Sequence, residues 1–367
     1  MKRLDTSSKF EKIKEAYTKT EFPNIFYLKL KSPLEMQIEL TSGCNQKCIF
    51  CYNVWKEGCT RKTTEKNLSK PEHLIVIDKI IKNEIFDVIF SGGEPLLVPY
   101  LDELIEKLTK KDIGTMIITN GILLTKEKAL SLKKVGLESL QISLHHFSEE
   151  KNNELVGNED AFEKTVEGIK NAVEVFGGDY VNVNMVALPK TYRDVYKMAS
   201  FLNSLKVKSF SVGSPSVTGE MANNLKTDIV IDKAKFLDVY EQLKKARKDF
   251  GISVSFTGGF PLCILPNFEK DVKMISNYCD AGLNQLVIGP EGDIRPCVCL
   301  GEKVGNILKD DLQEVWKKNE FLLNLRTLKF SPEICKGCKY LAFCRGGCRA
   351  SAQGYGGKLN ATDPLMN

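Results

Sequence analysis

Between about residues 36 and 215, short β-like runs alternate with longer amphipathic ones, and this restricts the fold more than any other feature of the chain. The β-like runs are "EMQIEL" (35–40), "FDVIFSGG" (86–93), "GTMIITNG" (114–121), "LESLQISL" (137–144), "YVNVNMVAL" (180–188) and "VKSFSVGS" (207–214). Between them lie segments such as "YLDELIEKLTKK" (100–111) and "AFEKTVEGIKNAVEVF" (161–176), whose apolar residues recur at helical spacing. Strand–helix repetition implies parallel pairing through right-handed crossovers. Six such units predict an α/β fold, a partial (β/α)6 TIM-like barrel. Its ligand site is expected at the C-terminal strand ends, where the loops converge. A further helix is expected over 231–249, and "ISVSFTGGFPLC" (252–263) reads as a strand and turn. After about residue 264 the alternation stops, and short elements rich in Cys, Gly and Pro take over. The expected organisation is a helix and strand extension over 1–34, the barrel over 35–263 and an irregular cysteine-rich domain over 264–367.

Composition narrows the setting. Apolar residues make up 43% and charged residues 27% of the 367, and the net charge is +5. That small excess is dispersed, so no basic patch for nucleic acid is expected. No apolar run approaches the length of a membrane span, and the N-terminus lacks the apolar core of a signal peptide. These features predict a cytoplasmic protein with no nucleic-acid or membrane partner.

Twelve cysteines are the anomaly. Four lie between 44 and 59, none between 60 and 262, and eight between 263 and 348. Clusters in a reducing compartment point to metal rather than to disulfides. The first, "CNQKCIFC", places Cys44, Cys48 and Cys51 in one loop directly after the first strand. Soft thiolates select zinc or iron–sulfur clusters. A zinc site closed by Cys59 is one reading, with His73 a more distant donor. The other is a 4Fe–4S cluster with three protein ligands and one open iron, and an open position implies chemistry.

"CNQKCIFC" resembles the CxxxCxΦC signature of the radical S-adenosylmethionine (radical SAM) superfamily, with Phe50 at the aromatic position. The resemblance implies that SAM chelates the fourth iron. Electron transfer to its sulfonium then releases a 5′-deoxyadenosyl radical that abstracts hydrogen from substrate. Further segments fall in order. "GGEP" (Gly92, Gly93, Glu94, Pro95) ends the second strand, where the family holds the SAM amino group. The two glycines allow close backbone approach, and Glu94 offers an acceptor beside an ammonium. Asn120 of "TNG" and Ser143 end the third and fourth strands, where the family contacts SAM carboxylate and ribose; both also suit ordinary turns. His145 and His146 follow, as packing residues or as pocket residues. Val186 and Leu188 on the fifth strand would flank the adenine, or simply fill the core.

The second field has the pattern Cx12Gx4C from Cys279 to Cys297, then Cx2Cx5Cx3C through Cys335, Cys338, Cys344 and Cys348. It resembles the SPASM extension of radical SAM enzymes, which binds two auxiliary 4Fe–4S clusters. The resemblance assigns Cys279, Cys297 and Cys348 to the first, with Cys263 its expected fourth ligand. It assigns Cys335, Cys338 and Cys344 to the second. The family's final cysteine is absent: "TDPLMN" has Met366 there, which leaves an open iron, a loan from Cys299 or loss of the second cluster. Cys299 as a small buried hydrophobe, and a zinc ribbon over Cys335–Cys348, are the plain alternatives.

By resemblance, the chain is an anaerobic enzyme using SAM and 4Fe–4S clusters, reduced by a flavodoxin or ferredoxin. Its expected substrate is a peptide or protein matured by crosslinking, oxidation or epimerisation. Tetrapyrrole side-chain modification, as in alternative haem biosynthesis, is the second expectation. A non-catalytic iron–sulfur or zinc scaffold is a third, of another class. The 34 residues before the barrel are too few for a leader-binding domain, so a peptide is expected to dock directly or on a separate carrier.

Overall fold

The computed structural model describes residues 30–53, 67–216, 218, 229–266 and 279–366. Residues 1–29, which contain most of the expected N-terminal extension, and Cys59 lie outside the described residues.

Seven strands alternate with helices and pair in parallel, in chain order: β1 (Glu35–Glu39), β2 (Asp87–Ser91), β3 (Gly114–Thr119), β4 (Ser139–Ser143), β5 (Val181–Val186), β6 (Ser209–Gly213) and β7 (Ser253–Thr257). All six expected runs are strands, and "ISVSFT" supplies the seventh. The crossover helices are α1 (Lys70–Lys82), α2 (Leu101–Thr109), α3 (Lys126–Lys134), α4 (Glu149–Val156), α5 (Ala161–Phe176), α6 (Val195–Ser204) and α7 (Lys233–Phe250). Their sequences explain them. In α1, Ser69 donates its backbone N–H to Glu72 (2.7 Å), Pro71 lies in the first turn, and His73, Val76, Ile77 and Ile80 form the buried stripe. In α2 the stripe is Leu101, Leu104, Ile105 and Leu108. These faces cover a sheet whose inner residues, among them Met36, Val88, Phe90, Ile117, Ile142 and Phe210, are fully buried.

The cysteine-rich region begins inside this sheet. β8 (Gln285–Ile288) pairs in parallel with the free edge of β1, with Met36 opposite Leu286 and Ile38 opposite Ile288. β9 (Asp293–Arg295) and β10 (Gly305–Asn306) continue antiparallel, giving ten strands in the order β10-β9-β8-β1-β2-β3-β4-β5-β6-β7. Arg295 of β9 meets Glu39 of β1 in an ion pair whose side chains are 1% and 0% exposed. The Trp316 indole donates to Leu30 O (3.0 Å), and Lys79 of α1 reaches Ile307 O and Asp310 O. The sheet therefore runs on across residue 264, where composition changes.

Candidate active site

The loop from Thr41 to Asn53 leaves the C-terminal end of β1, as expected for a site above a parallel sheet. Its backbone lies against the glycine turn after β2. Gly93 N donates to Thr41 O (2.7 Å) and Glu94 N to Gly43 O (2.8 Å). A Cβ on Gly93 would sit 1.9 Å from Gly43 O, and one on Gly92, whose φ is +123°, 2.7 Å from Thr41 O. The glycines are thus required by the cysteine loop itself. Asn53 donates to Gly92 O (3.0 Å) and closes the far end of the loop. The outer side docks on the end of α4: Lys47 N bonds Val156 O (2.7 Å), Ile49 N bonds Leu155 O (3.1 Å), and Asn158 holds Asn45 O (3.0 Å).

Within this frame Cys44, Cys48 and Cys51 are thiols of intermediate exposure. Cys44 Sγ accepts from Gln46 N (3.4 Å) and lies 3.9 Å from Asn120 Nδ2, which also donates to Asn45 Oδ1 (2.6 Å). Among the described residues, no three His, Cys, Asp or Glu side chains converge at single-ion distance.

Glu94 is fully buried, and its carboxylate faces inward. Oε1 accepts from Leu96 N (3.0 Å) and the Thr119 hydroxyl (2.7 Å), and Oε2 accepts from Asn120 N (2.8 Å). Burial pushes its pKa up, against the pull of these donors. The side chain ties the "GGEP" turn to the end of β3 and so positions Asn120. Pro95 opens the short 3-10 turn that Glu94 caps. Phe50, Val186 and Leu188 come together: they pack with Leu155, Ile229 and Cys48 in a small apolar cluster apart from the main core. The His145 ring meets Phe50 edge-on (centroids 4.5 Å apart), and its Nδ1 accepts from Val186 N (3.2 Å). Burial lowers its pKa to about 3, so it is neutral. His146 turns away, with Nδ1 accepting from Ser148 N (2.8 Å) and Nε2 3.2 Å from Asp194. Ser143 is partly exposed at the end of β4, opposite Asn184.

The eight later cysteines fall into two neighbourhoods. Cys279 precedes β8, and Cys297 and Cys299 follow β9. Burial raises the Cys297 thiol pKa well above its ordinary value, followed by the nearby Cys299, Cys279 and Cys348. Burial raises Cys299 to about 12, with Cys348 the next cause, while hydroxyls of Ser216 and Thr218 bond its sulfur. Around Cys335 the neighbouring thiols are Cys344, Cys263 and Cys338. Cys263, expected beside Cys279, is instead raised by burial and then by Cys344. Leu262 N donates to Cys344 Sγ (3.3 Å). Cys348 is held by its N–H to Asp363 Oδ2 (2.8 Å); this carboxylate also takes Leu365 N (2.9 Å), and burial raises its pKa to about 6. The "TDPLM" segment thus anchors the cysteine turn through Asp363.

A family model described as "Radical SAM superfamily" matches residues 38–202, and one described as "Iron-sulfur cluster-binding domain" (SPASM) matches residues 279–339. The chain carries a radical SAM domain. It is a radical SAM enzyme with a SPASM region, and SAM and 4Fe–4S clusters are its cofactors. It is 28% identical to mycofactocin maturase MftC of Mycobacterium tuberculosis over 340 residues, 91% of this chain and 83% of that one. It is 26% identical to the AdoMet-dependent heme synthase of Oleidesulfovibrio alaskensis over 349 residues, 89% and 85% of the two chains. The fold matches Streptococcus suis SuiB bound to precursor peptide SuiA with a TM-score of 0.74, at 21% identity, over 97% of this chain and 80% of that one.

The donor set of this radical SAM enzyme fits a cluster. Three thiols share one loop, backbone and amide N–H groups point at the first, and Phe50 walls the second. Cys44, Cys48 and Cys51 are the residues that would hold the SAM-binding cluster, which supplies the electron for reductive SAM cleavage. Sequence reading did not single out Asn45, Asn53, Asn158 or the Glu39–Arg295 pair. Asn53, two residues past Cys51, was the one with a positional cue.

Proposed function

We propose that this radical SAM enzyme matures a peptide or protein, abstracting hydrogen with the 5′-deoxyadenosyl radical and leaving a crosslink, an oxidised side chain or an inverted centre. The observation that carries this reading is the match of one continuous architecture, from β1 through the cysteine field, to a maturase by sequence and to a precursor-peptide-bound enzyme by fold. Phe50, Val186 and Leu188 offer the adenine an apolar wall beside Cys48. Asn120 lies within reach of the cluster loop, and Ser143 is partly exposed at the next strand end. Neutral His145 braces Phe50. A flavodoxin or ferredoxin is the reductant, and the cytoplasm is the compartment. No described helix is long and apolar enough to cross a membrane.

Similarity to the heme synthase supports a second reading, with a tetrapyrrole substrate. The test is anaerobic turnover with SAM and dithionite. Short peptides encoded beside the gene and porphyrin precursors would be supplied separately, with deuterium at substrate carbons. Deuterium in 5′-deoxyadenosine and a mass change in the peptide are expected. Deuterium transfer from a porphyrin precursor alone would assign the enzyme to tetrapyrroles. Intact clusters that never yield 5′-deoxyadenosine would leave a scaffold.

A further inference from the structure

We propose that each auxiliary cluster is closed by four cysteines, partitioned as Cys279, Cys297, Cys299 and Cys348 around one and Cys263, Cys335, Cys338 and Cys344 around the other. This rests on the reading of the SPASM region as a holder of two clusters, and it goes beyond that reading by naming both fourth ligands.

The path of the chain after β7 carries the argument. At Gly259 it passes the first group: a Cβ there would lie 3.4 Å from Cys279 Cβ and 3.6 Å from Cys348 N. Two residues on, Pro261 packs on Gly347, whose own Cβ would fall 2.9 Å from Pro261 Cδ. At Leu262 the backbone N–H reaches Cys344 Sγ at 3.3 Å. The chain has therefore left the first group and arrived at the second when it presents Cys263. Cys263 is among the thiols that act on Cys335, and Cys344 acts on both.

The place left open in the first group falls to Cys299. Two residues past Cys297, it donates its backbone N–H to the Cys297 sulfur. Its thiol lies within electrostatic range of Cys348, and the Ser216 and Thr218 hydroxyls donate to it. Met366 then needs no part in ligation; "TDPLM" contributes Asp363, which fixes Cys348.

The consequence is functional. Four thiolates per cluster leave no iron open, so neither auxiliary cluster offers substrate a coordination site. Both serve the reaction without touching its reactants.

The test uses the full chain with Cys44, Cys48 and Cys51 replaced by Ala, so that spectra report the auxiliary clusters alone. Cys297→Ala and Cys338→Ala in that parent mark the signal of each group. Anaerobic iron analysis, Mössbauer and electron paramagnetic resonance are the readouts. We expect about eight irons in the parent and about four in each single variant, since each 4Fe–4S cluster depends on its own cysteine set. Cys263→Ala should copy Cys338→Ala, and Cys299→Ala should copy Cys297→Ala. Cys263→Ser and Cys299→Ser, which keep an oxygen donor, should each shift only their own group's signal, even if an Ala variant does not fold. Added imidazole should leave both parent signals unchanged. If the parent holds both clusters but Cys263→Ala copies Cys297→Ala, or either serine variant leaves both signals unmoved, the partition is wrong. A parent that binds zinc or no iron overturns the underlying two-cluster reading instead.

Discussion

Glu94 is a motif residue whose carboxylate is held from within the fold. From sequence, its carboxylate is an acceptor for the SAM ammonium; in the fold, three internal donors already occupy it. Glu94→Ala strands those donors, and each buried orphan costs about 1–3 kcal/mol. We expect the cluster-free protein to lose about 2–5 kcal/mol of unfolding free energy in urea, with SAM binding falling alongside. Parental stability with weakened SAM binding would instead put the carboxylate on the cofactor. His73 makes a second prediction at this scale. It is buried, 3.0 Å from the Tyr100 hydroxyl, and its pKa is lowered to about 4 by desolvation. The unfolded chain takes up this proton at about 6.5 and the folded chain only near 4, so its contribution is intact above 6.5 and lost as pH falls between them. The slope is at most about 1.4 kcal/mol per pH unit. His73→Leu should flatten the acid limb of a plot of urea-unfolding free energy against pH by that amount, and an unchanged limb would refute the assignment. The cysteine motif, Phe50 and the strand-end residues were legible because each is local. The partners of Glu94, and which distant thiol meets Cys263, were not, because no periodicity reports contacts between residues so far apart in the chain.

At the scale of elements, the site is two loops locked together. The glycines of "GGEP" are where the backbone after β2 meets the backbone after β1. Gly93→Ala places a methyl carbon where Gly43 O now lies. Neither side can yield without breaking the bonds from Gly93 N and Glu94 N. We expect this variant to fold, to keep its auxiliary iron, and to lose the SAM-binding cluster with at least about a hundredfold drop in 5′-deoxyadenosine formation, equivalent to about 2.7 kcal/mol. Full iron content with unaltered SAM cleavage would show that the loop tolerates the displacement. Strands β1 to β7 were readable because each is a short apolar run bounded by Gly or polar residues. "QLVI" of β8 is equally apolar, but it lies within the cysteine field. Its partner β1 is some 250 residues away, so nothing local marks it as part of the barrel sheet.

On the scale of the whole molecule, that pairing makes the cysteine-rich region a structural part of the barrel. β8 covers the edge of β1, and Leu286 and Ile288 are fully buried. Removing residues 279–366 would expose the unpaired edge of β1, a template for association. We expect the truncated chain to be insoluble or aggregated by size-exclusion chromatography, whereas cysteine variants that lose auxiliary iron stay soluble. A monomeric, folded truncation would show that the barrel closes without β8. The Glu39–Arg295 pair sits on this same seam. Strand side chains alternate faces, so a slip of one residue would aim Arg295 elsewhere and leave a carboxylate buried alone. The pair acts as a key that admits one alignment only. Cys44 leaves β1 five residues after Glu39, and Cys297 follows Arg295 by two. The spacing between the two cysteine fields is therefore a dimension of the polypeptide, gauged by one arginine finding one glutamate.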